Sequence, residues 1–193
     1  DVACGTGDLT MAFANTLPAS VTGLDFVPKM IEIANWKADN KNNSDKKNQT
    51  ATNNIKKNWP RPTFIVGDAM NLPMDNASLD IVSIAFGIRN VTDPAKAISE
   101  FRRVLKPGGR LLILEFSLPR NIILRTGYNF YFNHIMPRTA TWISRDKTGA
   151  YRYLPRSVST FIAPDKMQQM ILTAGFSDVK IHRFTFGVCL AYL

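Results

Sequence analysis

Short apolar runs alternate with helical stretches along most of this chain, and this alternation constrains the fold more than any other feature. Helical stretches follow Gly7, Pro28 and Pro94, and a proline suits the first turn of a helix. Such alternation predicts an α/β domain with a mainly parallel sheet. The chain has 193 residues, enough for one domain, 1–193, with a sizeable core. The runs that we predict as strands are 21–25, 63–67, 79–86, 110–116, 178–183 and 185–192.

A glycine turn opens the chain, in the order Asp1-Val-Ala-Cys-Gly5-Thr6-Gly7. We interpret Asp1 as the end of a first strand whose body is absent, and the chain as a fragment lacking an N-terminal segment. Glycine lets the backbone approach a ligand closely, and the helix that follows offers unpaired N–H groups. A dinucleotide fingerprint would need a further glycine at position 10, where Thr10 stands, so a pyrophosphate is less expected.

Acidic residues end the next two predicted strands. Asp25 follows Val-Thr-Gly-Leu and could accept hydrogen bonds from ribose hydroxyls. Asp68 follows Phe-Ile-Val-Gly, could accept from an adenine amino group, and precedes the small residue Ala69. An aspartate such as Asp25, taken alone, is more often a turn residue at the end of a strand. Three features at the carboxyl ends of successive strands together predict a site for a cofactor with amino-acid, ribose and adenine parts.

The cysteines and histidines favour no metal site. Cys4 and Cys189 lack metal-ligand spacing, so we expect two packed thiols in a reducing compartment and no bound metal. His134 is a conventional candidate for a general base, although a lone histidine is more often a surface or packing residue. His182 has the spacing of a strand residue.

Taken together, these motifs resemble those of a known protein family. The run 1–7 is similar to motif I of class I methyltransferases, Asp25 to their ribose-binding acid and 67–69 to their adenine-side motif. The resemblance implies a Rossmann-like, seven-stranded, mainly parallel sheet with helices on both faces and an antiparallel last strand. It also implies S-adenosyl-L-methionine as the cofactor. The residues that it implies as cofactor-binding are Asp1, Gly5, Thr6, Gly7, Asp25, Asp68, Ala69 and Ala85.

Two further stretches, 86–93 and 103–117, resemble the UbiE/MenG family of quinone C-methyltransferases. This resemblance covers nearly the whole chain and implies methyl transfer to a ring carbon of a polyprenyl quinol. Demethylmenaquinol is the favoured acceptor, because 117–121 and 143–147 look more like menaquinone-type members, and 2-methoxy-6-polyprenyl-1,4-benzoquinol is the next. The chain departs from the family in its missing N-terminal segment and in a polar stretch, 39–58, that we predict to be an exposed, mobile insertion. A basic loop that contacts membrane is the alternative for that stretch.

Arg89 and Asn90 are the candidate catalytic residues, since they lie just past the fourth predicted strand. A ring carbon attacks a methyl group only after a neighbouring hydroxyl loses its proton. Arginine is a poor base because its pKa exceeds about 12. Our hypothesis is therefore that Arg89 stabilises the phenolate, directly or through a water, and that Asn90 orients a ring oxygen. The alternative is a structural Arg89 paired with Asp93 or Glu115.

A segment at 118–162 breaks the alternation and is predicted to cover the substrate. Its apolar side chains are interleaved with arginines, and the net charge of the chain is +9. This pattern suits peripheral contact with an anionic membrane, although a cover packed on its own core would look similar. We expect a protein at the inner face of a bacterial membrane or, alternatively, at the matrix face of the mitochondrial inner membrane. A homodimer or association with other enzymes of quinone synthesis is a further expectation.

Three other functions are alternatives to the methylation of a quinol. Nucleic-acid methyltransferases place Asn/Asp-Pro-Pro-aromatic after the fourth strand to hold a flipped base, whereas this chain has Ala85-Phe-Gly-Ile88 there, so no nucleic-acid partner is expected. A methyltransferase for another small lipid or phenol would share the cofactor half. A non-catalytic member of a quinone-synthesis complex could retain the fold.

Overall fold

The predicted alternation of strands and helices is present in the computed structural model, which describes residues 1–49, 60–119, 121–131 and 156–193. For 42–49 and residue 129 it describes the backbone alone. The chain divides into two units, Asp1–Leu112 and Ile113–Leu193. The elements of the first unit are α1 (Asp8–Ala14), β1 (Thr22–Asp25), α2 (Pro28–Gln49), β2 (Thr63–Val66), β3 (Leu79–Ala85), a 3-10 turn (Ile88–Asn90), α3 (Pro94–Val104) and the start of β4 (Leu105–Phe116).

The sheet of the first unit is parallel where its pairing is described. β1 pairs with β2 in a register that places Thr22 opposite Thr63 and Asp25 opposite Val66. Val2 forms parallel bridges to Leu24 of β1 and Ile84 of β3, so it occupies the position of the first predicted strand. The carboxyl ends of β1, β2 and β3 therefore lie at one edge of this sheet.

The start of α3 follows from its sequence. The Asp93 side chain accepts a hydrogen bond from the backbone N–H of Lys96, and Pro94 occupies the first turn, as predicted. Apolar residues at helical spacing then bury one face of α3 completely. These residues are Ala97, Ile98, Phe101 and Val104.

The second unit has antiparallel pairing. Its elements are the end of β4, α4 (Ile122–Phe130), α5 (Pro164–Thr173), β5 (Ile181–Phe184), a 3-10 turn (Thr185–Gly187) and β6 (Cys189–Tyr192). β6 pairs antiparallel with both β4 and β5, so the last strand has the predicted direction. His182 lies on β5 with an exposed side chain, as its strand spacing indicated.

Four elements differ from their predictions. β4 begins directly after α3, at Leu105, whereas the strand was predicted to begin at 110; Gly108 has a φ of +77°, so the backbone bends locally without ending the strand. α2 continues to Gln49, so the first part of the predicted insertion is helical. β5 begins at Ile181 rather than at 178, and β6 begins at Cys189 because a 3-10 turn occupies Thr185–Gly187. The rest of the insertion, His134 and most of 118–162 lie outside the described residues. Among the helices that are described, none is long and apolar enough to cross a membrane.

Candidate functional site

The turn that opens the chain is fixed by its first carboxylate. The two carboxylate oxygens of Asp1 accept hydrogen bonds from the hydroxyls of Thr10, at 2.7 Å, and Ser83, at 2.9 Å. Thr10 is fully buried and Ser83 nearly so. Asp1 therefore connects the turn to α1 and to β3. Thr10 stands where a dinucleotide fingerprint would have glycine, and its hydroxyl is bound to Asp1 instead. The role of Ser83 was not predicted from the sequence.

Asp25 holds the turn from the neighbouring strand. One carboxylate oxygen accepts from the backbone N–H of Gly5 at 2.8 Å, and the other accepts from the N–H of Val27 at 2.9 Å. The residue is 9% exposed. A carboxylate has about four lone-pair sites, so each Asp25 oxygen keeps capacity for a ligand hydroxyl.

The two glycines of the turn have different surroundings. Gly5 has a φ of +55°, and a Cβ added there would meet no heavy atom within 4 Å. Gly7 has a φ of +80°, and a Cβ there would lie 2.7 Å from the Phe64 ring and 3.0 Å from the Ala34 Cβ. Gly5 thus leaves open space beside the turn, whereas Gly7 allows α2 and β2 to pack closely against it.

Replacing Gly7 with alanine is expected to lower the free energy of unfolding more than the same change at Gly108. Both residues have a left-handed φ, near +80°, which costs alanine about 1–2 kcal/mol. Only at Gly7 would the new methyl group meet packed atoms, which adds about 1–3 kcal/mol. Urea unfolding of the two variants measures the difference. An equal loss of unfolding free energy in the two variants would show that packing at Gly7 is not tight.

A second turn follows β2. The backbone N–H of Gly67 donates to the carbonyl of Asp25 at 3.0 Å, which places this turn next to Asp25. One Asp68 oxygen accepts from the N–H of Met70 at 2.9 Å, and Ala69 is buried. The network below this turn was not predicted: Glu100 accepts from the N–H of Leu72 and from Arg103. Because Arg103 also donates to the carbonyl of Leu72 at 2.9 Å, this pair anchors the turn to α3.

The third turn follows β3 and carries the candidate catalytic residues. Ala85 ends β3, and a Cβ at Gly87 would lie 2.5 Å from the Ala3 Cβ, so this turn packs against the glycine turn. Phe86 has a φ of +55°, a conformation that is unfavourable for a side chain of its size and that occurs often at functional sites. Nη1 of Arg89 donates to the carbonyl of Phe86 at 2.7 Å, which fixes the guanidinium beside the end of β3, and Asn90 is exposed.

The thiol of Cys4 packs below these turns. It contacts a cluster formed by Met11, Ile31, Ala34, Ala38 and Phe64. Burial and the nearby Asp25 carboxylate raise the pKa of the Cys4 thiol to about 11. The thiol is therefore protonated at neutral pH, which agrees with a packing role.

The structure thus brings the ten predicted site residues to one sheet edge of the first unit. Asp1, Gly5, Thr6 and Gly7 form the first turn, Asp25 lies beside it, Asp68 and Ala69 form the second, and Ala85, Arg89 and Asn90 belong to the third. Parallel strands that end together explain this arrangement, since ligands of open α/β sheets bind outside the carboxyl ends of the strands.

Comparisons with known proteins agree with this geometry. The model of the ubiE/COQ5 methyltransferase family matches residues 1–193. The chain is 38% identical over 195 residues to the ubiquinone/menaquinone biosynthesis C-methyltransferase UbiE of Geobacter sp., covering 100% of this chain and 76% of that protein. It is 39% identical over 194 residues to the demethylmenaquinone methyltransferase of Thermus thermophilus, covering 100% of this chain and 80% of the relative.

A solved structure supports the fold. The SAM-dependent methyltransferase of Thermotoga maritima superposes with a TM-score of 0.61 at 20% identity, covering 99% of this chain and 78% of that one. The fold is therefore that of class I methyltransferases, and the methyl donor of such enzymes is S-adenosyl-L-methionine. Together with the full-length family match, this shows that the chain is a methyltransferase of the ubiE/COQ5 family.

Proposed function

We propose that this chain transfers a methyl group from S-adenosyl-L-methionine to a ring carbon of a polyprenyl quinol. Demethylmenaquinol is the favoured acceptor, and 2-methoxy-6-polyprenyl-1,4-benzoquinol is the next. The observation that carries the proposal is that three turns, each at the end of a strand, lie together and include Asp25 and Arg89. The relatives of the chain are named for quinone biosynthesis, which supports the choice of acceptor.

The residues of the site fit the cofactor. The open space at Gly5 leaves room for a ligand beside the backbone, where a side chain would otherwise project. The Asp25 carboxylate would accept from the ribose hydroxyls, and Asp68 from the adenine amino group. The other residues that would line the cofactor are Asp1, Thr6, Gly7, Ala69 and Ala85. When bound, the cofactor supplies an electrophilic methyl group on a positively charged sulfur.

The chain must then activate the acceptor. A quinol ring carbon becomes nucleophilic when the adjacent hydroxyl loses its proton and the phenolate delocalises its charge onto the ring. Arg89 is fixed by the Phe86 carbonyl, and its guanidinium group would stabilise the phenolate oxygen. Asn90, which follows it on the 3-10 turn, would hold a ring oxygen and limit rotation of the acceptor.

Contact with a membrane surface would deliver such a substrate. On α4, Ile122 and Ile123 are 71% and 78% exposed, and Phe130 is 60% exposed. Exposed apolar side chains in a chain with a net charge of +9 suit contact with the surface of an anionic bilayer. The polyprenyl tail of the substrate could remain in the bilayer during the reaction. We place the protein at the inner face of a bacterial membrane. Association with other enzymes of quinone synthesis, or as a homodimer, stays a prediction.

Flotation with vesicles tests this contact. The full-length protein is expected to float with vesicles containing anionic lipid at low salt, and to float less at high salt because screening weakens the attraction. The double variant I122D/I123D should remain at the bottom of the gradient. L172D, which changes a 37% exposed leucine on α5, should float like the wild type. Flotation of I122D/I123D at the wild-type level would contradict the role of α4.

An acceptor panel tests the substrate. Under reducing conditions the full-length protein would be offered demethylmenaquinol, 2-methoxy-6-polyprenyl-1,4-benzoquinol and a simple catechol, each with S-adenosyl-L-methionine. We expect the highest kcat/KM with demethylmenaquinol. A preference for the catechol would favour a small-phenol methyltransferase. If the protein binds the cofactor but methylates none of the three acceptors, a non-catalytic role in a complex would be favoured.

A further inference from the structure

A three-residue polar cluster connects α2 to the turn that opens the chain. Nζ of Lys37 lies 2.8 Å from Oγ1 of Thr6, and 2.9 Å and 2.7 Å from the two carboxylate oxygens of Asp8. Oγ1 of Thr6 donates to Oδ2 of Asp8 at 2.8 Å. Lys37 is separated from its partners by about thirty residues in sequence, and it therefore joins two elements rather than two turns of one helix.

The packing of α2 explains why Lys37 reaches the turn. Ala34 is fully buried and its Cβ would lie 3.0 Å from a Cβ at Gly7, so this face of α2 lies against the turn. Residues three apart on a helix share a face, and Lys37 follows Ala34 by three. Its side chain is 30% exposed, whereas that of Asp8 is 73% exposed. The Lys37 side chain is thus the less exposed of the two side chains in this ion pair.

The cluster also sets the charge beside the turn. The pKa of Asp8 lies below its usual range, because its carboxylate accepts hydrogen bonds from Lys37 and Thr6. Asp8 is therefore ionised at neutral pH. Asp25, whose carboxylate accepts from the N–H of Gly5, is a second acidic residue at this turn. The amino-acid part of S-adenosyl-L-methionine carries a carboxylate beside its ammonium group, and an uncompensated Asp8 would repel that carboxylate.

We propose that Lys37 is a positioning residue for cofactor binding, which holds the Thr6 hydroxyl in place and neutralises Asp8 so that the turn accepts an anionic group. The proposal rests on the proposed placement of the cofactor at Gly5, Thr6 and Gly7. It assigns a role in binding to a helix that contributes none of the ten predicted site residues.

Cofactor affinity of the full-length protein, measured by titration calorimetry with S-adenosyl-L-methionine, tests the proposal. K37M is expected to raise Kd about tenfold, since a hydrogen-bonded charge is lost. K37R should restore most of the affinity, and kcat at saturating cofactor should stay near the wild-type value. The charge argument predicts further that D8N in the K37M background binds more tightly than K37M alone, because the uncompensated carboxylate is gone.

A neighbouring lysine provides the matched control. Lys41 lies one turn further along α2, and its Nζ donates to Asn15 at the end of α1, away from the glycine turn. K41M should bind the cofactor like the wild type. The proposal is overturned if K37M keeps wild-type affinity, if K41M weakens binding equally, or if D8N/K37M binds no better than K37M. If D25A also leaves affinity unchanged, the placement of the cofactor is wrong rather than the role of Lys37 alone.

Discussion

Replacing Asp25 with alanine is expected to weaken binding of S-adenosyl-L-methionine by at least about 100-fold. In the proposed complex, the Asp25 carboxylate would accept from two ribose hydroxyls, and hydrogen bonds to a charged group contribute about 1.5–3 kcal/mol each. The variant also leaves the N–H groups of Gly5 and Val27 without this acceptor, so the glycine turn should loosen. Titration calorimetry of the full-length protein gives the change in Kd.

The control for this variant is D80A. Asp80 also lies on a strand of the first unit, but it is 81% exposed and pairs with Lys106 at 2.8 Å. D80A should bind the cofactor like the wild type, since exposed ion pairs contribute little. D25N, which keeps one acceptor oxygen, should fall between D25A and the wild type. Wild-type affinity in a folded D25A protein would contradict the proposed ribose contact.

Replacing Arg89 with alanine is expected to lower kcat by about 100- to 1,000-fold while the Kd of the cofactor changes little. Loss of one group that stabilises a developing oxyanion typically has an effect of this size. The guanidinium is fixed at the end of β3 by its hydrogen bond to Phe86, so no other residue of the turn can replace it at the same place. Single-turnover methyl transfer to demethylmenaquinol measures the rate.

Two variants separate catalysis from structure at Arg89. R89K keeps the charge but loses the planar fork, so it should recover only part of the rate. R61A removes an arginine that pairs with Asp39 on the same unit and should leave the rate unchanged. If R89A keeps full turnover and normal quinol affinity but unfolds at lower urea, Arg89 is a structural residue.

Local sequence signals predicted much of the fold. The strand ends at Asp25 and Ala85 were predicted within one residue, because apolar runs bounded by turn residues are strong local signals. The start of α3 at Pro94 was predicted correctly, because proline suits the first turn of a helix. The gathering of the site residues followed from parallel strands, whose carboxyl ends must share an edge.

Local signals were insufficient elsewhere. The strand predicted at 110–116 begins at Leu105 and includes Pro107-Gly-Gly109, since Gly108 can take a positive φ without ending the strand. The extension of α2 to Gln49 was missed because this part of the helix is polar and shows no apolar periodicity. The contact of Lys37 with Thr6 and Asp8 depends on packing between distant segments. The only local signal for it was the helical spacing from Ala34 to Lys37.

The most direct test of the whole account is the position of an isotopically labelled methyl group after reaction with demethylmenaquinol under reducing conditions. The wild-type protein is expected to place the label on a ring carbon, as NMR of the product would show, and D25A to place almost none. A label on a quinol oxygen, or no label from a protein shown to bind S-adenosyl-L-methionine, would contradict carbon methylation of a polyprenyl quinol by this chain.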